Sequence, residues 1–479
     1  METSKRGQWG SSFGFLMASI GSAIGLGNLW GFPYKMGKTG GFAFLILYLI
    51  LVALVGIVLM LGEFALGRKT GKGAGGAYAA LAKKYSFIGY MAVISPFLIL
   101  AFYAVLGGMV LRYCLGFLVQ IFGFDGFSGQ GSGFFSWLLY SDSNMLLFLV
   151  LFMACTMVIV MGGIKGGIEK FSKAVMPALG VILIVIIVFV AIQPGAIEGY
   201  KFMFQPDFSL FTEPGSFFEV LKTASGQMFF SLSVAMGINI TFGSYLDKQK
   251  NLQKNAIMVP LFDTLFALLA GMMILPACAA FGEDYAQGPG LLFASMQKVF
   301  LDGMGGPAGN IMGFLFYFLV FIAAITSSIA LLEVLTAAVV DRQLDKGKEP
   351  KRKKTALVFA VLIFLIAIPV ALDALGSGGA TVKAPFELLG LTPDSPGYAM
   401  WNDCWLDFYD MITEGVLMPL GALLMSLLLG WVLPNLVGEE CQASGHRFKG
   451  AAYFKFCFRF VIPVVMVIVL ATQIQSFFL

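Results

Sequence analysis

The sequence predicts an all-α integral membrane protein with eleven transmembrane helices, two of which are unwound at mid-membrane. The first observation is the composition: 58% of the 479 residues are hydrophobic and 12% are charged, whereas a soluble domain carries about one-quarter charged residues. The second is that the windows 42–62, 145–163, 355–372 and 460–479 contain no charged side chain. Each window is about long enough to cross the hydrocarbon core as a helix, so the lipid bilayer is the expected surroundings of these helices.

Polar loops divide the chain, residues 1–479, into eleven spans within a single transmembrane domain. With a cytoplasmic N-terminus, the cytoplasmic segments contain 24 of the 31 lysines and arginines, which satisfies the positive-inside rule. The odd number of spans then places the C-terminus outside. The spans are predicted at 11–34, 42–67, 87–121, 144–163, 172–193, 215–244, 253–280, 306–340, 355–373, 405–433 and 455–477.

The sequence gives little support to enzymatic or nucleic-acid-binding functions. The single histidine, His446, lies in a basic loop, and there is no nucleophile elbow, phosphate-binding loop or cluster of metal ligands. We therefore predict no catalytic residues. The basic residues behind the net charge of +4 are spread over short loops and do not form the continuous basic face that binds nucleic acid.

The first and sixth spans contain sequence that is unsuited to the middle of a helix. Residues 21–28 read GSAIGLGN and residues 231–237 read SLSVAMG. Each glycine in a helix costs about 1 kcal/mol relative to alanine, so we expect unwound segments that line a cavity rather than lipid. Breaks five spans apart predict an inverted repeat that relates residues 11–193 to residues 215–433, with 455–477 as an additional helix. The alternative is that these glycines only allow close helix packing.

Three acidic residues lie within otherwise apolar spans: Glu63, Asp263 and Glu333. An ionisable side chain in a membrane costs a few kcal/mol unless it has a partner, so each is a functional candidate. For Glu63 and Glu333 we favour a structural role, because neither lies beside other cation ligands. Asp263 is different: with the unwound carbonyls, the Asn28 amide and the hydroxyls at 326–327, it supplies the oxygen ligands that a hard cation such as sodium prefers.

Three motifs resemble those of the neurotransmitter:sodium symporter family. They are GSAIGLGN at 21–28 followed by Phe32-Pro33, GQMFFSLS at 226–233, and TSSIA at 326–330. The likeness covers nearly the whole chain and is strongest for the bacterial eleven-span amino-acid transporters. It implies a symporter of the bacterial cytoplasmic membrane that couples sodium entry to import of a hydrophobic or aromatic L-amino acid by alternating access.

The resemblance also implies two sodium sites. At the first site the substrate carboxylate would complete the ion's shell, so that sodium and substrate raise each other's affinity. The protein ligands of the first sodium would be Ala23, Asn28, Ser231 and Asp263. Those of the second would be the carbonyls of Gly21, Ile24 and Ala323 and the hydroxyls of Thr326 and Ser327.

The substrate site implied by the resemblance is roomy and mostly apolar. The substrate carboxylate would meet the Tyr103 hydroxyl and backbone amides near Leu26 and Gly27, while the ammonium would meet carbonyls of the two broken spans. For Met236, direct contact with substrate and a role in helix packing both remain open. The implied substrate-binding residues are Ser22, Ala23, Gly25, Leu26, Gly27, Ile99, Tyr103, Phe230, Ser231, Ser233, Met236, Ser327 and Leu331.

Two further positions bear on specificity. Family members that carry monoamines have an aspartate where this chain has Gly25, so glycine here implies a substrate with its own carboxylate. The animal members bind chloride near span seven, and the resemblance places Tyr48, Gln227 and Ala267 there. Asp263 would supply that negative charge permanently, which implies transport that is independent of chloride.

The resemblance implies gates on both sides of the substrate. Phe230 and Tyr103 would cover it from outside, while Arg6 and Asp341, near Tyr245, would close the cytoplasmic side.

One outer-gate position departs from the family pattern. The family places an arginine after the Asn28-Leu29-Trp30 segment, where this chain has Gly31, although the acidic partner Asp410 is present. We expect Lys35, one helical turn further on, to face Asp410 instead, or a looser gate that admits a bulkier substrate.

Two other functions are compatible with these residues. A proton-coupled amino-acid carrier with the same five-span repeat would not need paired hydroxyls in span eight. A non-transporting amino-acid sensor would keep the binding site while losing the outer gate.

Overall fold

The computed structural model describes residues 7–212, 214–377, 380–388, 390, 404–443 and 445–478, and every regular element in this part of the chain is helical. Thirteen of its helices form the candidate spans and the segments on either side of their breaks, and shorter helices such as Ala74–Leu81 and Ala196–Phe204 pack between them. In chain order the thirteen are α1 (Ser12–Ala23), α2 (Gly27–Lys38), α3 (Phe42–Thr70), α4 (Lys83–Ile121), α5 (Asp142–Met161), α6 (Ile164–Ala191), α7 (Pro214–Ser231), α8 (Ile238–Ser244), α9 (Leu252–Phe281), α10 (Gly306–Asp345), α11 (Arg352–Gly376), α12 (Trp405–Val432) and α13 (Ala451–Gln475).

Nine helices of the described chain are long and apolar enough to cross a membrane. The count rises to ten when α1 and α2, which meet at a bend of 45°, are taken as one span. The sixth predicted span is the pair α7 and α8, and the residues between them, 232–237, are not helical. The predicted all-α membrane fold is therefore confirmed, and the interrupted spans are the two that the sequence singled out.

The break between α7 and α8 has a strained backbone. Ser233 and Ala235 have φ angles of 51° and 63°, and Gly237, which precedes α8, has a φ of 75°. Residues with a Cβ rarely adopt positive φ, and each costs of order 1–3 kcal/mol. Such a segment persists only where surrounding groups hold it in place.

Glu63 of α3 holds this segment. Its Oε1 accepts the Ala235 N–H at 3.1 Å and its Oε2 accepts the Asn239 amide at 3.1 Å. Asn239 also donates to the carbonyls of Leu232 and Ser233, at 3.3 and 3.1 Å. Because the carboxylate satisfies backbone and amide donors that the break exposes, the structure gives Glu63 the structural role that the sequence favoured.

The bundle has a buried centre and an apolar exterior. The hydrophobic windows of α4 and α10 are 78% and 83% buried, whereas those of α6 and α13 are 33% buried. On α6, Val181 and Val188 point outward and are more than half exposed. Outer helices that present aliphatic side chains outward are expected where the surrounding solvent is lipid.

Trp9 closes one face of the bundle, called here the Trp9 face; the opposite face, where α2 ends, is called the Lys38 face. The Trp9 ring packs edge-on against Phe242, with centroids 5.2 Å apart, and Trp9 Nε1 donates to the Phe242 carbonyl at 3.1 Å. Beside it, Glu169 of α6 accepts the Gly10 N–H at 2.6 Å. The start of the described chain is thereby tied to both α6 and α8.

An ion pair lies near the Trp9 face between α10 and α11. Glu333, which is fully buried, forms a salt bridge with Arg352 and also accepts the Tyr245 hydroxyl at 2.8 Å. Arg352 Nε donates further to the Val160 carbonyl at 3.1 Å. Glu333 thus has the structural partners that its position in an apolar span requires.

Candidate substrate and cation site

A small cavity, whose empty volume of about 300 Å³ includes space open to solvent, lies where the two helix breaks meet α4 and α10. Its walls come from four separate parts of the chain, so no single helix builds the site. The lining residues are Ser22, Ala23, Gly25, Gly27, Ile99, Tyr103, Phe230, Ser233, Met236, Ile238, Ser327 and Leu331.

Polar groups beside the helix breaks mark one part of this cavity. The Leu26 N–H donates to the Tyr103 hydroxyl at 3.1 Å. The hydroxyls of Ser233 and Ser327 both donate to the Ser22 carbonyl, at 3.0 and 3.2 Å. Peptide and hydroxyl groups are therefore concentrated where the regular helix hydrogen bonds are interrupted.

The remaining wall is apolar. Ile99 of α4, Met236 of the break, Ile238 of α8 and Leu331 of α10 line it, and each is at least nine-tenths buried. The cavity consequently offers a polar region beside a hydrophobic one, which is the usual arrangement of a small-molecule site.

The structure brings together most residues predicted for the substrate site. Eleven of the thirteen line the cavity. The other two lie at its edge: Leu26 contributes its N–H to Tyr103, and the Ser231 hydroxyl points to Asp263 instead. Ile238 was missed; its only sequence signal is that it follows Gly237, where the second helix resumes.

Gly25 is a position where a side chain has no room. A Cβ built there would overlap the Ser327 hydroxyl and lie 2.6 Å from the Tyr103 hydroxyl oxygen. Any larger residue would have to displace both groups, so the glycine keeps the polar part of the cavity open.

Asp263 of α9 joins the two helix breaks. Asn28 donates its side-chain amide to Asp263 Oδ1 at 2.7 Å, and the Ser231 hydroxyl donates to Oδ2 at 2.8 Å. The Asn28 oxygen in turn accepts the Gly25 N–H at 3.1 Å, and all three polar side chains are fully buried. Three predicted side-chain ligands of the first sodium are thus adjacent, beside the cavity that Ala23 lines.

The residues predicted for the second sodium also converge. Thr326 Oγ1 lies 2.9 Å from the Ala323 carbonyl oxygen and 3.5 Å from that of Ile24, and Ser327 Oγ lies 3.5 Å from the latter. A Cβ placed on Gly21 would be 3.4 Å from the Thr326 Cβ, so Gly21 packs on the same threonine. The cluster carries no charged side chain and consists of hydroxyl and carbonyl oxygens.

Phe230 and Tyr103 lie between this cavity and the Lys38 face, with ring centroids 6.4 Å apart. Beyond them opens a larger cavity with an empty volume of about 1700 Å³. Phe230 and Gly27 line both cavities. The small cavity is therefore separated from the larger one by a thin layer of side chains, whereas the Trp9 face is closed.

Lys35 lies near Asp410, as predicted, but its direct ion pair is with another carboxylate. Its ammonium forms a salt bridge with Glu414 at 2.7 Å rather than with Asp410. Residues 411–417 form a π-helical turn, whose wider spacing changes which side chains face α2. Glu414 takes the lysine, while Asp410 lines the large cavity beside it.

The other predicted gate residues lie near the Trp9 face. Asp341 accepts the Gly73 N–H at 2.7 Å, and Tyr245 bonds Glu333. Arg6, their predicted partner, lies outside the described residues.

Comparisons with known proteins agree with these features. A family model described as the sodium:neurotransmitter symporter family matches residues 6–124 and 141–387. An uncharacterized sodium-dependent transporter of Bacillus subtilis is 34% identical over 98% of each chain, and another from Haemophilus influenzae is 30% identical over 99% of each. The crystal structure of MhsT in complex with L-phenylalanine is 35% identical, with a TM-score of 0.83, and covers 98% of this chain and 100% of that one.

Proposed function

The chain belongs to the sodium:neurotransmitter symporter family, and we propose that it imports a hydrophobic or aromatic L-amino acid together with sodium. The observation that carries this proposal is the hydrogen-bonded group Asn28–Asp263–Ser231 beside the small cavity. It offers oxygen ligands to a cation at the point where a substrate carboxylate would lie.

In the proposed complex, the first sodium is held by the Ala23 carbonyl, Asn28, Ser231 and Asp263. The substrate carboxylate lies beside it and accepts hydrogen bonds from the Tyr103 hydroxyl and the Leu26 region. Because each ligand completes the other's surroundings, sodium raises the affinity for the amino acid and the amino acid raises the affinity for sodium by the same factor.

A second sodium would bind between Gly21, Ile24 and the α10 residues Ala323, Thr326 and Ser327. Five oxygens of hydroxyl and carbonyl type meet the needs of a hard monovalent cation without excess charge that would trap it. Occupancy there would hold α1 against α10 and favour the state in which the Trp9 face is closed.

The proposed substrate class follows from the two parts of the cavity. Its apolar wall, formed by Ile99, Met236, Ile238 and Leu331, suits an aliphatic or aromatic side chain. Gly25 leaves no room for an acidic side chain of the protein, so the substrate must bring its own carboxylate. The L-phenylalanine bound by MhsT supports the same class.

We assign the Trp9 face to the cytoplasm of a bacterial cell and the Lys38 face to the outside, as the distribution of basic residues predicts. The cavity of about 1700 Å³ is then an outer vestibule above the substrate site. Transport requires the opposite state, in which the Trp9 contacts open and the Phe230 layer closes. The permanent carboxylate of Asp263 makes chloride unnecessary in this scheme.

The test is uptake into proteoliposomes containing the purified protein. Labelled L-phenylalanine should accumulate with an inward sodium gradient, and not in choline buffer with a proton gradient alone. Accumulation driven by protons without sodium would favour the proton-coupled carrier. Sodium-dependent binding without uptake or counterflow would favour a sensor.

A further inference from the structure

One carboxylate of the vestibule on the Lys38 face, that of Asp410, lies near Lys35 but forms no direct ion pair with it. Lys35 is paired with Glu414 at 2.7 Å, and Lys222 with Glu219 at 2.9 Å. Asp410 lines the same vestibule and forms no hydrogen bond or ion pair through its side chain with the residues that the structure describes. The remaining lining lysine, Lys38, lies at the exposed rim.

A second unpartnered polar group belongs to the same vestibule. Gln227 is fully buried, and its amide nitrogen donates to the Gly27 carbonyl at 2.8 Å, but its Oε1 has no hydrogen-bond partner among the described residues. A buried acceptor without a donor is energetically unfavourable. The site is therefore poised to accept a donor.

Gly31 leaves the space in front of this acceptor open. A Cβ built on Gly31 would have Gln227 Oε1 as its nearest neighbour, at 3.1 Å, followed by the Leu26 carbonyl oxygen at 3.9 Å. Both neighbours are oxygen acceptors. Gly31, Gln227 and Asp410 line one vestibule, so the glycine of α2 leaves room in a space that also holds an amide oxygen from α7 and a carboxylate from α12.

We propose that Asp410 and Gln227 form a binding site for the guanidinium head of a small organic cation, in the space that Gly31 leaves open. Guanidinium carries N–H donors in a planar fork that fits a carboxylate and an amide oxygen at once. A bare metal ion is less suited, because sodium or calcium needs more oxygen ligands than these groups supply. Trp30 and Tyr34, whose rings stack 6.3 Å apart on the vestibule wall, add aromatic surface of the kind that attracts such cations.

Occupation of this site would connect two helices next to a third. Gln227 lies on α7 and Asp410 on α12, so a guanidinium bound to both bridges these walls of the vestibule beside Gly31 of α2. A ligand that binds the folded state alone raises its stability in a saturable manner. The site is separate from the proposed sodium and amino-acid sites, so its occupancy can be measured without either ligand.

The experiment is a thermal-unfolding titration of the full-length protein in detergent, in choline buffer free of sodium and amino acids. Guanidinium chloride replaces choline chloride at constant millimolar ionic strength, with tetramethylammonium, which has no N–H donor, as the matched probe. We expect a saturable rise in Tm with guanidinium and none with tetramethylammonium. The absence of a saturable rise, or an equal rise with tetramethylammonium, overturns the proposal.

Three variants locate the effect. In Asp410→Asn, the guanidinium concentration that gives half of the rise in Tm should increase at least about tenfold, because the variant removes the charged partner. Gly31→Arg should abolish the response, because the new side chain supplies a tethered guanidinium. The charge-balanced double variant Lys35→Met/Glu414→Gln should keep it, since that pair is not part of the site.

The variant results can also contradict the proposal. Binding would be assigned to the general charge of the vestibule by either of two results. One is that Gly31→Arg needs the same guanidinium concentration as the parent for half of the rise in Tm; the other is that only the Lys35–Glu414 double variant loses this rise. If Asp410→Asn does not unfold cooperatively, the titration of Gly31→Arg alone tests whether guanidinium binds at the proposed site. Because these titrations contain no sodium or amino acid, their failure leaves the proposed transport function untouched, and failure of sodium-driven uptake leaves this site untouched.

Discussion

Asn28 donates its side-chain amide to Asp263 at 2.7 Å, which attaches the break between α1 and α2 to α9. The other oxygen of the same carboxylate accepts the Ser231 hydroxyl at 2.8 Å, at the end of α7. One buried carboxylate therefore links both interrupted spans. A cation that binds beside it affects the geometry of both breaks together, which provides a physical basis for coupling an ion to a substrate in the adjoining cavity.

Replacing Asp263 with asparagine tests this link. The change keeps the size of the side chain and removes the charge that would face sodium, and charge-assisted interactions contribute about 1.5–3 kcal/mol. We expect the sodium concentration for half-maximal uptake to rise at least about tenfold, and the residual uptake to become stimulated by chloride. Uptake by the parent protein should be unchanged when gluconate replaces chloride.

The matched control for this variant is Asp302→Asn, which removes the same charge from an exposed position in the π-helical turn Val299–Met304. Its sodium dependence should equal that of the parent. Equal sodium midpoints for both variants would show that Asp263 does not contribute to cation binding.

Thr326→Val tests the second proposed sodium site. Valine is close to threonine in size but lacks the hydroxyl that lies 2.9 Å from the Ala323 carbonyl. We expect the sodium dependence of uptake to shift to higher concentration and to lose its sigmoidal shape, because only one cation site remains intact. Initial uptake rates measured across a sodium series would report both changes.

Ser328→Ala is the control for Thr326→Val. Its hydroxyl lies two residues along the same helix but bonds Thr156 at 2.7 Å and the Ile325 carbonyl at 2.9 Å. This substitution is expected to lower stability by about 1 kcal/mol without changing the sodium curve. The assignment of the second sodium site would be contradicted if Thr326→Val kept the sodium dependence of uptake of the parent protein, or if Ser328→Ala changed it.

Gly25→Ala tests whether the polar part of the small cavity binds the substrate. The added methyl group overlaps the Ser327 hydroxyl and crowds Tyr103, and such overpacking typically costs about 1–3 kcal/mol. We expect the affinity for L-phenylalanine, measured by calorimetry in sodium buffer, to fall about tenfold or more. Gly180→Ala serves as control, because among the described residues a Cβ there would meet only Phe266, at 3.6 Å. A similar loss of affinity in both variants would argue against a specific effect at Gly25.

The helix breaks and Asp263 could be predicted because their signals are local in the sequence. Glycines clustered at 21–28 and an aspartate within the apolar stretch 253–280 are unfavourable unless a cavity or a partner compensates. The resemblance of these motifs to a known family then related the broken spans to a substrate site. The structure brings those residues together across four parts of the chain.

The partner of Lys35 could not be predicted in the same way. Asp410 and Glu414 are four residues apart and would share one face of a regular α-helix, so spacing alone favours neither. The π-helical turn at 411–417 decides which carboxylate meets the lysine, and a turn of this kind has no reliable sequence signal. Ile238 was missed for a related reason, since the point at which α8 begins depends on the contacts that Glu63 makes with the break.

The Glu333–Arg352 pair gives a prediction about stability near the Trp9 face. Glu333→Gln leaves the half-buried Arg352 guanidinium without its counter-ion, and breaking a buried ion pair on one side costs about 3–5 kcal/mol. We expect a marked decrease in Tm for this variant. The double variant Glu333→Gln/Arg352→Met should recover most of the loss, because it removes the uncompensated charge together with its partner.

The control for this cycle is Glu439→Gln, which breaks the exposed Lys69–Glu439 pair, where the two atoms lie 3.0 Å apart. Exposed pairs contribute about 0–1 kcal/mol, so its Tm should stay close to that of the parent. If the single and double variants at Glu333 and Arg352 lose the same stability, the loss comes from packing around Tyr245 rather than from an unpaired charge. Recovery of stability in the double variant would instead identify the ion pair as the group that fixes α10 to α11 next to Tyr245, at the face that opens in the proposed transport cycle.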